Sequence, residues 1–470
     1  LGNITYKGNF TGTIYDFVAF GTINTNLGAV KADLNLKLPG NAPSIYSGKL
    51  STQNFKLGVF LDDNTVGNIT FNGKVNGAGL SEKTLDAKFD GHVNSVEYNG
   101  YNYQNITLDG SFRKKFFNGL ASISDPNLTV DKLTGSIDFN GEVPQFNFEA
   151  SLANADFKKL GFTKEDYLLK GKFNLNFSGD NIDNFLGTAT IKEASLVHNG
   201  MPMSFDSLLL ESKMEEGQKY LSAHSNEIDA SITGKFNIQE LPQSFQTFLS
   251  RYYPAYIQKP ASLAGDQDFS FEIKTKNVDE YIQLVDKKLK GFNNSTISGN
   301  LKLKNNELNV NADVPEFSYD GRVFTNVTLE GKGNFDSLST VINAEDVALS
   351  DSLHLPLTNL SFTSANDVSV VSLKTSASKT LSEASINARL TTMKEGVKIY
   401  FFPSSFIIND NKWQLEKDGE ITIGKSLVTA SDVKFINGSQ QIKISTEPAE
   451  VGSTNDVVVE LLKVHVDDLA

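Results

Sequence analysis

Five histidines, His92, His198, His224, His354 and His465, are the first residues to examine for metal or acid–base chemistry. None stands in an HxH or HxxxH pair that would turn two imidazoles onto one strand or helix face. The carboxylates Asp62-Asp63 and the pair Asp266 and Asp268 lack the alternating oxygen spacing of a calcium loop. With no Cys in the chain there is no thiolate ligand, no sulfur nucleophile and no disulfide. A Gly-x-Ser-x-Gly elbow, a phosphate-binding loop and a dinucleotide glycine motif are all missing. A glycosidase carboxylate pair stays open, because its members can come from any two strands. The expectation is a protein that is not an enzyme, with no catalytic residues, no metal and no cofactor.

The elements that would position any site are dominated by period-two alternation. In Asp33–Leu38 (DLNLKL), Lys172–Phe177 (KFNLNF), Gly299–Leu303 (GNLKL) and Glu307–Val314 (ELNVNADV), Leu, Phe and Val mostly take every second place and Asn, Lys or Asp the rest. That is the pattern of half-buried antiparallel strands. The stretch YNGYNYQNITLDGSF (Tyr98–Phe112) returns as YDGRVFTNVTLEGKGNF (Tyr319–Phe335), each copy opening on a pair suited to a type I′ turn, Asn99-Gly100 or Asp320-Gly321. Looser relatives lie at His198–Ser212 and Leu353–Ser364. Further Asn-Gly and Asp-Gly pairs begin at Asn72, Asn76, Asp90, Asp109, Asn118, Asn140, Asn199, Asp418 and Asn437, and read as hairpin turns or bulges.

Two segments read as helices. In Pro242–Gln258, Phe245, Phe248, Leu249, Tyr252, Tyr256 and Ile257 fall at helical spacing, with Pro242 in the first turn and Pro254 a kink or stop. In Asn277–Gly291, Val278, Ile282, Val285 and Leu289 form a stripe, Asn277 with Glu280 resembles a capping box, and Gly291 suits the C-cap. A third, shorter candidate is Asn154–Leu160. Each helix either packs its stripe on the apolar face of the sheet or, for the aromatic one with Tyr252, Tyr253 and Tyr256, contacts a membrane or gates a groove, with Arg251 and Lys259 as its nearby cations.

The net charge of −13 over 470 residues is spread out, so no basic stripe invites nucleic acid. No run of about 18 or more apolar residues marks a membrane helix. The chain opens on Leu1 in the approach to a strand and reads as an internal portion of a longer protein. The organisation divides into repetitive sheet over 1–240, a helix-containing segment over 241–292 and repetitive sheet over 293–470, or one continuous domain.

The fold class expected is mainly β: a long, curled antiparallel sheet, a half-pipe groove, with two or three short helices. A twisted sheet rarely passes about ten strands without curling, splitting or closing. Split into sandwiches, the strands would make an adhesin-like or glycan-binding array. Curled into a half-pipe, they would leave a long apolar lining that is stable only against acyl chains or another apolar partner. Candidate groove-lining residues are Leu34, Leu36, Ile106, Leu108, Phe173, Leu175, Phe177, Leu301, Leu303, Val327 and Leu329.

The opening YKGNFTGTIYDFVAFGTINTNLGAVKADLNLKL, the element GDNIDNFLGTATIKEASLVHNG and the recurrent NITLDG/NVTLEG strands resemble the TamB (translocation and assembly module) family of the AsmA-like superfamily, in its Bacteroidetes form. The resemblance implies a periplasmic β-groove (β-taco) that carries phospholipid between inner and outer membranes. It also implies an inner-membrane anchor outside this portion and an outer-membrane barrel of the barrel-assembly type as partner. The family has also been viewed as an assembly factor for outer-membrane proteins, which would use strand edges. The Asp-Ser-Leu triplets at Asp206, Asp336 and Asp351 are either turn chemistry or, resembling a Bacteroidetes O-glycosylation pattern, put Ser207, Ser337 and Ser352 on exposed turns as acceptors.

Overall fold

A computed structural model describes residues 2–79, 84–262, 265–351, 353–376, 381–415, 419–425, 427–449 and 455–464. The fold is mainly β: 34 strands of a long, open antiparallel sheet that is not closed into a barrel, with three short helices. The first strands are β1 (Thr5–Thr13), β2 (Asp16–Thr25), β3 (Gly28–Lys37), β4 (Ile45–Gln53), β5 (Phe55–Lys56), β6 (Val66–Ala78) and β7 (Asp86–Tyr98). They continue through β8 (Tyr101–Arg113), β9 (Phe116–Ser124), β10 (Leu128–Asp138), β11 (Gln145–Asp156), β12 (Tyr167–Ser178), β13 (Leu186–His198) and β14 (Met201–Glu215). Next are β15 (Gln218–Ser225), β16 (Ile228–Lys235), β17 (Asp268–Thr275), β18 (Leu289–Gly291), β19 (Thr296–Lys302), β20 (Glu307–Tyr319) and β21 (Arg322–Gly333). After these come β22 (Leu338–Ala344), β23 (Asp346–Ala348), β24 (Thr358–Ala365), β25 (Val368–Ser376), β26 (Leu381–Met393), β27 (Gly396–Phe401) and β28 (Ser405–Ile408). The last are β29 (Asn411–Leu415), β30 (Glu420–Gly424), β31 (Val428–Ser431), β32 (Val433–Asn437), β33 (Gln440–Pro448) and β34 (Asn455–Leu462). The helices are α1 (Leu57–Leu61), α2 (Leu241–Leu249) and α3 (Asp279–Val285).

The chain divides into two compact units, residues 1–213 with 223–226, and residues 214–222 with 227–470. The division falls among β14, β15 and β16, ahead of the boundary expected at residue 241, and the helix-containing segment belongs to the second unit.

The hairpins at Tyr98↔Tyr101 and Tyr319↔Arg322 turn on Asn99 and Gly100 (φ 47° and 81°) and on Asp320 and Gly321 (φ 52° and 82°), the left-handed pair that a type I′ turn needs. Asn105 and Asn326, at matching places in the two copies, also have left-handed φ of 52° and 46°. Each interrupts the ladder without shifting its register, which runs Val93↔Ile106 and Ser95↔Gln104 around Asn105, and Val314↔Val327 and Glu316↔Thr325 around Asn326. Other Asn-Gly and Asp-Gly pairs do something else. Gly73, Gly77, Gly91, Gly110 and Gly119 sit in mid-strand, and the expectation of turns at these five places is corrected. Asp418 lies outside the described residues.

Helix α2 forms as expected and ends at Leu249, before Pro254; a further single turn closes with the N–H of Ile257 donating to Tyr253 O at 2.8 Å. Helix α3 has no capping box, because its N-cap is Val278 and no side chain caps it. The Asp279 carboxylate instead accepts the N–H of Gly291 (2.7 Å) and the Asn293 amide (2.9 Å), which holds Gly291 in strand β18 opposite Phe317 rather than at a helix C-cap. The candidate helix Asn154–Leu160 is the end of β11 followed by a single turn closed by Leu160 N–H on Asp156 O (2.9 Å). Phe146, Phe148, Ala150 and Leu152 in that strand already follow period two, which outweighs one turn of helical spacing.

Candidate functional site

Following partners across the ladder in the first unit shows which side chains share a face. One row runs Phe10, Ala19, Leu34, Gly48, Val75, Phe89, Gly110, Gly119, Gly135, Phe148, Leu175, Ala189, Leu210. The row two residues along runs Gly8, Gly21, Ala32, Leu50, Gly73, Gly91, Leu108, Ala121, Leu133, Ala150, Phe173, Ile191, Leu208. Neither row contains a polar side chain on any strand from β1 to β14, leaving aside the two-residue β5. A third row on the same face holds Leu36 and Phe177, with Phe112 against Phe117 and Phe146 stacked on Phe177 at 4.9 Å. A fourth holds Ile106 between Val93 and Ile123. The candidates Leu34, Leu36, Ile106, Leu108, Phe173, Leu175 and Phe177 therefore share one face of one unit.

This face is deeply packed without a second layer. Among the described residues of the unit the only helix is α1, whose Gly58 lies against the Val66 end of β6. Val75 and Ala87 are nevertheless only 4% and 2% exposed, buried by Tyr46, Phe71, Phe89 and other neighbours on their own face. The mid-strand glycines make this closeness possible. Gly73 and Gly91 face each other, with the Phe71 ring over both positions. Four rows at about 3.4 Å per residue and strands about 4.8 Å apart make a band roughly 60 Å by 20 Å, on the order of 1,200 Å². That is the footprint of the band, not its exposed area: Leu34, Leu108, Phe173, Leu175 and Phe177 are each half-buried by their neighbours. The opposite face carries Asp33, Lys49, Lys74, Asp90, Asp109, Glu149 and Asn174.

The second unit, taken by itself, has an apolar face that is covered. Ala230, Ile273, Ile297, Ala312, Leu329, Ile342, Leu360, Leu373 and Ile386 form one row. Beside it, Phe269, Leu301, Leu308 and Leu338 lie under α2, whose Phe248 is fully buried with its ring over Gly333. Leu301, placed on a groove lining by its alternation, is 0% exposed and touches the helix. Leu303 lies in the turn after β19 against the same cluster, and Val327 is buried in a separate cluster with Val314, Ala344 and Val347.

The cover is latched by polar groups. Asn306 Nδ2 donates to the Tyr252 hydroxyl (2.8 Å) and to Asn334 O (2.7 Å), and Tyr252 itself donates to Asn334 O. Tyr253 donates to Ser364 Oγ (2.8 Å), which is bonded to Ser369 Oγ (2.7 Å), so two serines on the apolar face are satisfied by the strap. Asp367 accepts the N–H of Ala255 (3.0 Å) and gives its own N–H to Tyr252 O (2.7 Å). Burial pushes the Tyr252 hydroxyl above its ordinary 10.0. The unfolded tyrosine ionises near that value while the folded one keeps its proton, so the latch is whole below it and weakens as pH rises through the folded value. Urea unfolding should lose stability between pH 9 and pH 11, and Tyr252→Phe, lower by about 1 kcal/mol at pH 9, should lose less of it.

Among the described residues no group of three metal-ligating side chains forms. His92, His198 and His354 bond separately to Thr107, Glu165 and Asp346. Trp413 is fully buried against Phe406, offering no stacking surface for a sugar. Of the candidate acceptors, Ser207 is inside β14 opposite Lys192, which corrects its placement on a turn. Ser337 lies in the turn after β21 with its N–H on Asn334 Oδ1 (3.0 Å), and Ser352 lies outside the described residues. No helix among the described residues is long and apolar enough to cross a membrane. No known family, curated protein or solved structure matches the chain.

Proposed function

We propose that this chain is a segment of a bridge-like lipid-transfer protein, carrying phospholipid through the periplasm between inner and outer membranes with its acyl chains on the apolar band. The observation that carries the reading is the pair of unbroken apolar rows in the first unit, on a face that no second layer covers among the described residues. The hydrophobic effect, at about 25 cal/mol per Å², makes such a band costly in water and favourable against acyl chains. Phospholipid is the cargo, and an outer-membrane barrel of the barrel-assembly type is the partner that the family resemblance implies.

Phe173→Arg with Phe177→Arg places two charges on the band, on either side of Leu175. The purified wild-type chain is expected to carry bound phospholipid, seen by thin-layer chromatography of its extract, and the double variant to lose most of it while keeping its strand-rich circular dichroism. A wild-type chain free of lipid, or a variant that keeps its lipid, overturns the reading. In the full-length protein the same variant should raise outer-membrane permeability.

A further inference from the structure

Beside α2 the second unit has a cleft of about 480 Å³ whose lining joins cations to apolar side chains. Arg251 and Lys259 come from the strap after α2, Lys304 from the turn after β19, and Phe335 from the turn after β21. The Arg251 guanidinium lies 4.6 Å from the Phe335 ring and its Nε donates to Phe335 O at 3.2 Å. Lys304 is paired with Asp266 at 2.6 Å, whereas Lys259 has no ion pair among the described residues. Pro254, Ile257 and Leu303 supply the apolar wall. Thr247, also in the lining, has a buried hydroxyl with no hydrogen-bond partner.

We propose that this cleft binds the headgroup of an anionic glycerophospholipid, its phosphate against Lys259 and Arg251 and the start of its acyl chains against Ile257, Leu303 and Phe335. Three features point there together. A chain of net charge −13 gathers three cations at one cleft and balances only one of them with a carboxylate in contact. Arg251 is held in place by Phe335 instead of by an acid, leaving the positive charge for a ligand. The polar end of the cleft meets Leu303, which belongs to the apolar cluster under α2, so a phosphate and a hydrocarbon are accommodated side by side. The proposal rests on the lipid reading of the apolar face and adds to it a preference for negatively charged lipid.

The test is binding to the purified chain of dioctanoyl phosphatidylglycerol, dioctanoyl phosphatidylcholine and inorganic phosphate, each as free molecules. One cation near a lipid phosphate contributes a factor of about five. Phosphatidylglycerol should bind at least fivefold more tightly than phosphatidylcholine, whose quaternary ammonium is repelled by the same cations, and Lys259→Gln, at an exposed side chain that supports nothing else, should remove about that factor for phosphatidylglycerol and narrow the preference. Equal binding of the two lipids, or no effect of Lys259→Gln, overturns the proposal. Displacement of phosphatidylglycerol by an equal concentration of inorganic phosphate also overturns it, by making the site one for phosphate alone. In the Phe173→Arg/Phe177→Arg variant the preference should persist. A preference that persists in a wild-type chain carrying no copurified lipid keeps the cleft and rejects the band.

Discussion

Gly91→Val should lower the stability of the first unit by about 2–3 kcal/mol, the cost of overpacking a filled site. A melting transition of a unit this size should fall by roughly 5–10 °C. A Cβ at Gly91 would stand 2.6 Å from Gly73 Cα and 2.7 Å from Asn72 O. Those are backbone atoms of the partner strand, so nothing can rotate away; β6 and β7 must part, and ladder bonds with them. Valine has the better strand propensity of the two residues, so propensity alone predicts the opposite sign. His92→Thr, one residue along on the polar face, should stay within about 0.5 kcal/mol. Thermal denaturation followed by circular dichroism compares the two, and an unchanged Gly91→Val would mean that the strands are not this close.

Phe248→Ala should have the larger effect, about 3–5 kcal/mol, and it should be visible in one segment. The ring is fully buried, 5.2 Å from Tyr252, and fills the space over Gly333. Its loss empties the middle of the contact between α2 and Phe269, Leu301, Leu308 and Leu338, while the Tyr252 and Tyr253 latches remain at one end only. Tryptic cleavage at Arg251 should accelerate and the uncovered face should bind anilinonaphthalene sulfonate. Tyr256→Ala, at a side chain 68% exposed, is the matched control and should do neither. If Phe248→Ala melts with wild type and resists trypsin, α2 is not held by its apolar face.

The two glycine-rich dipeptide classes show how much of this was legible. Around Tyr98-Asn99-Gly100-Tyr101 aromatic residues flank the pair on both sides and alternation restarts after it; the pair turns the chain. In Phe71-Asn72-Gly73-Lys74-Val75 the alternation passes through undisturbed, with Gly in an apolar place. The period was the informative signal and the dipeptide was not. The strand pattern thus placed Phe173, Leu175 and Phe177 on one face. It also put Leu301 on an apolar strand face, which it has within the second unit, but a cover contributed by a segment about fifty residues earlier leaves no mark on the strand it covers. The left-handed turns of backbone at Asn105 and Asn326 had a sequence signal, the matched Asn in both copies, which reads equally well as a chance Asn-x-Thr triplet. The cleft had none. Arg251 and Lys259 are neighbours in sequence, yet Lys304 and Phe335 reach them only because two hairpin ends return to the same edge.

Nearly every strand of the first unit pairs with the next in sequence. Such a chain closes only short loops as it folds, so each hairpin can add to the one before without waiting for distant partners. A growing or translocating polypeptide of this kind is able to fold from the end that emerges first. An interruption would leave a shorter ladder, already ordered, rather than an unfolded chain.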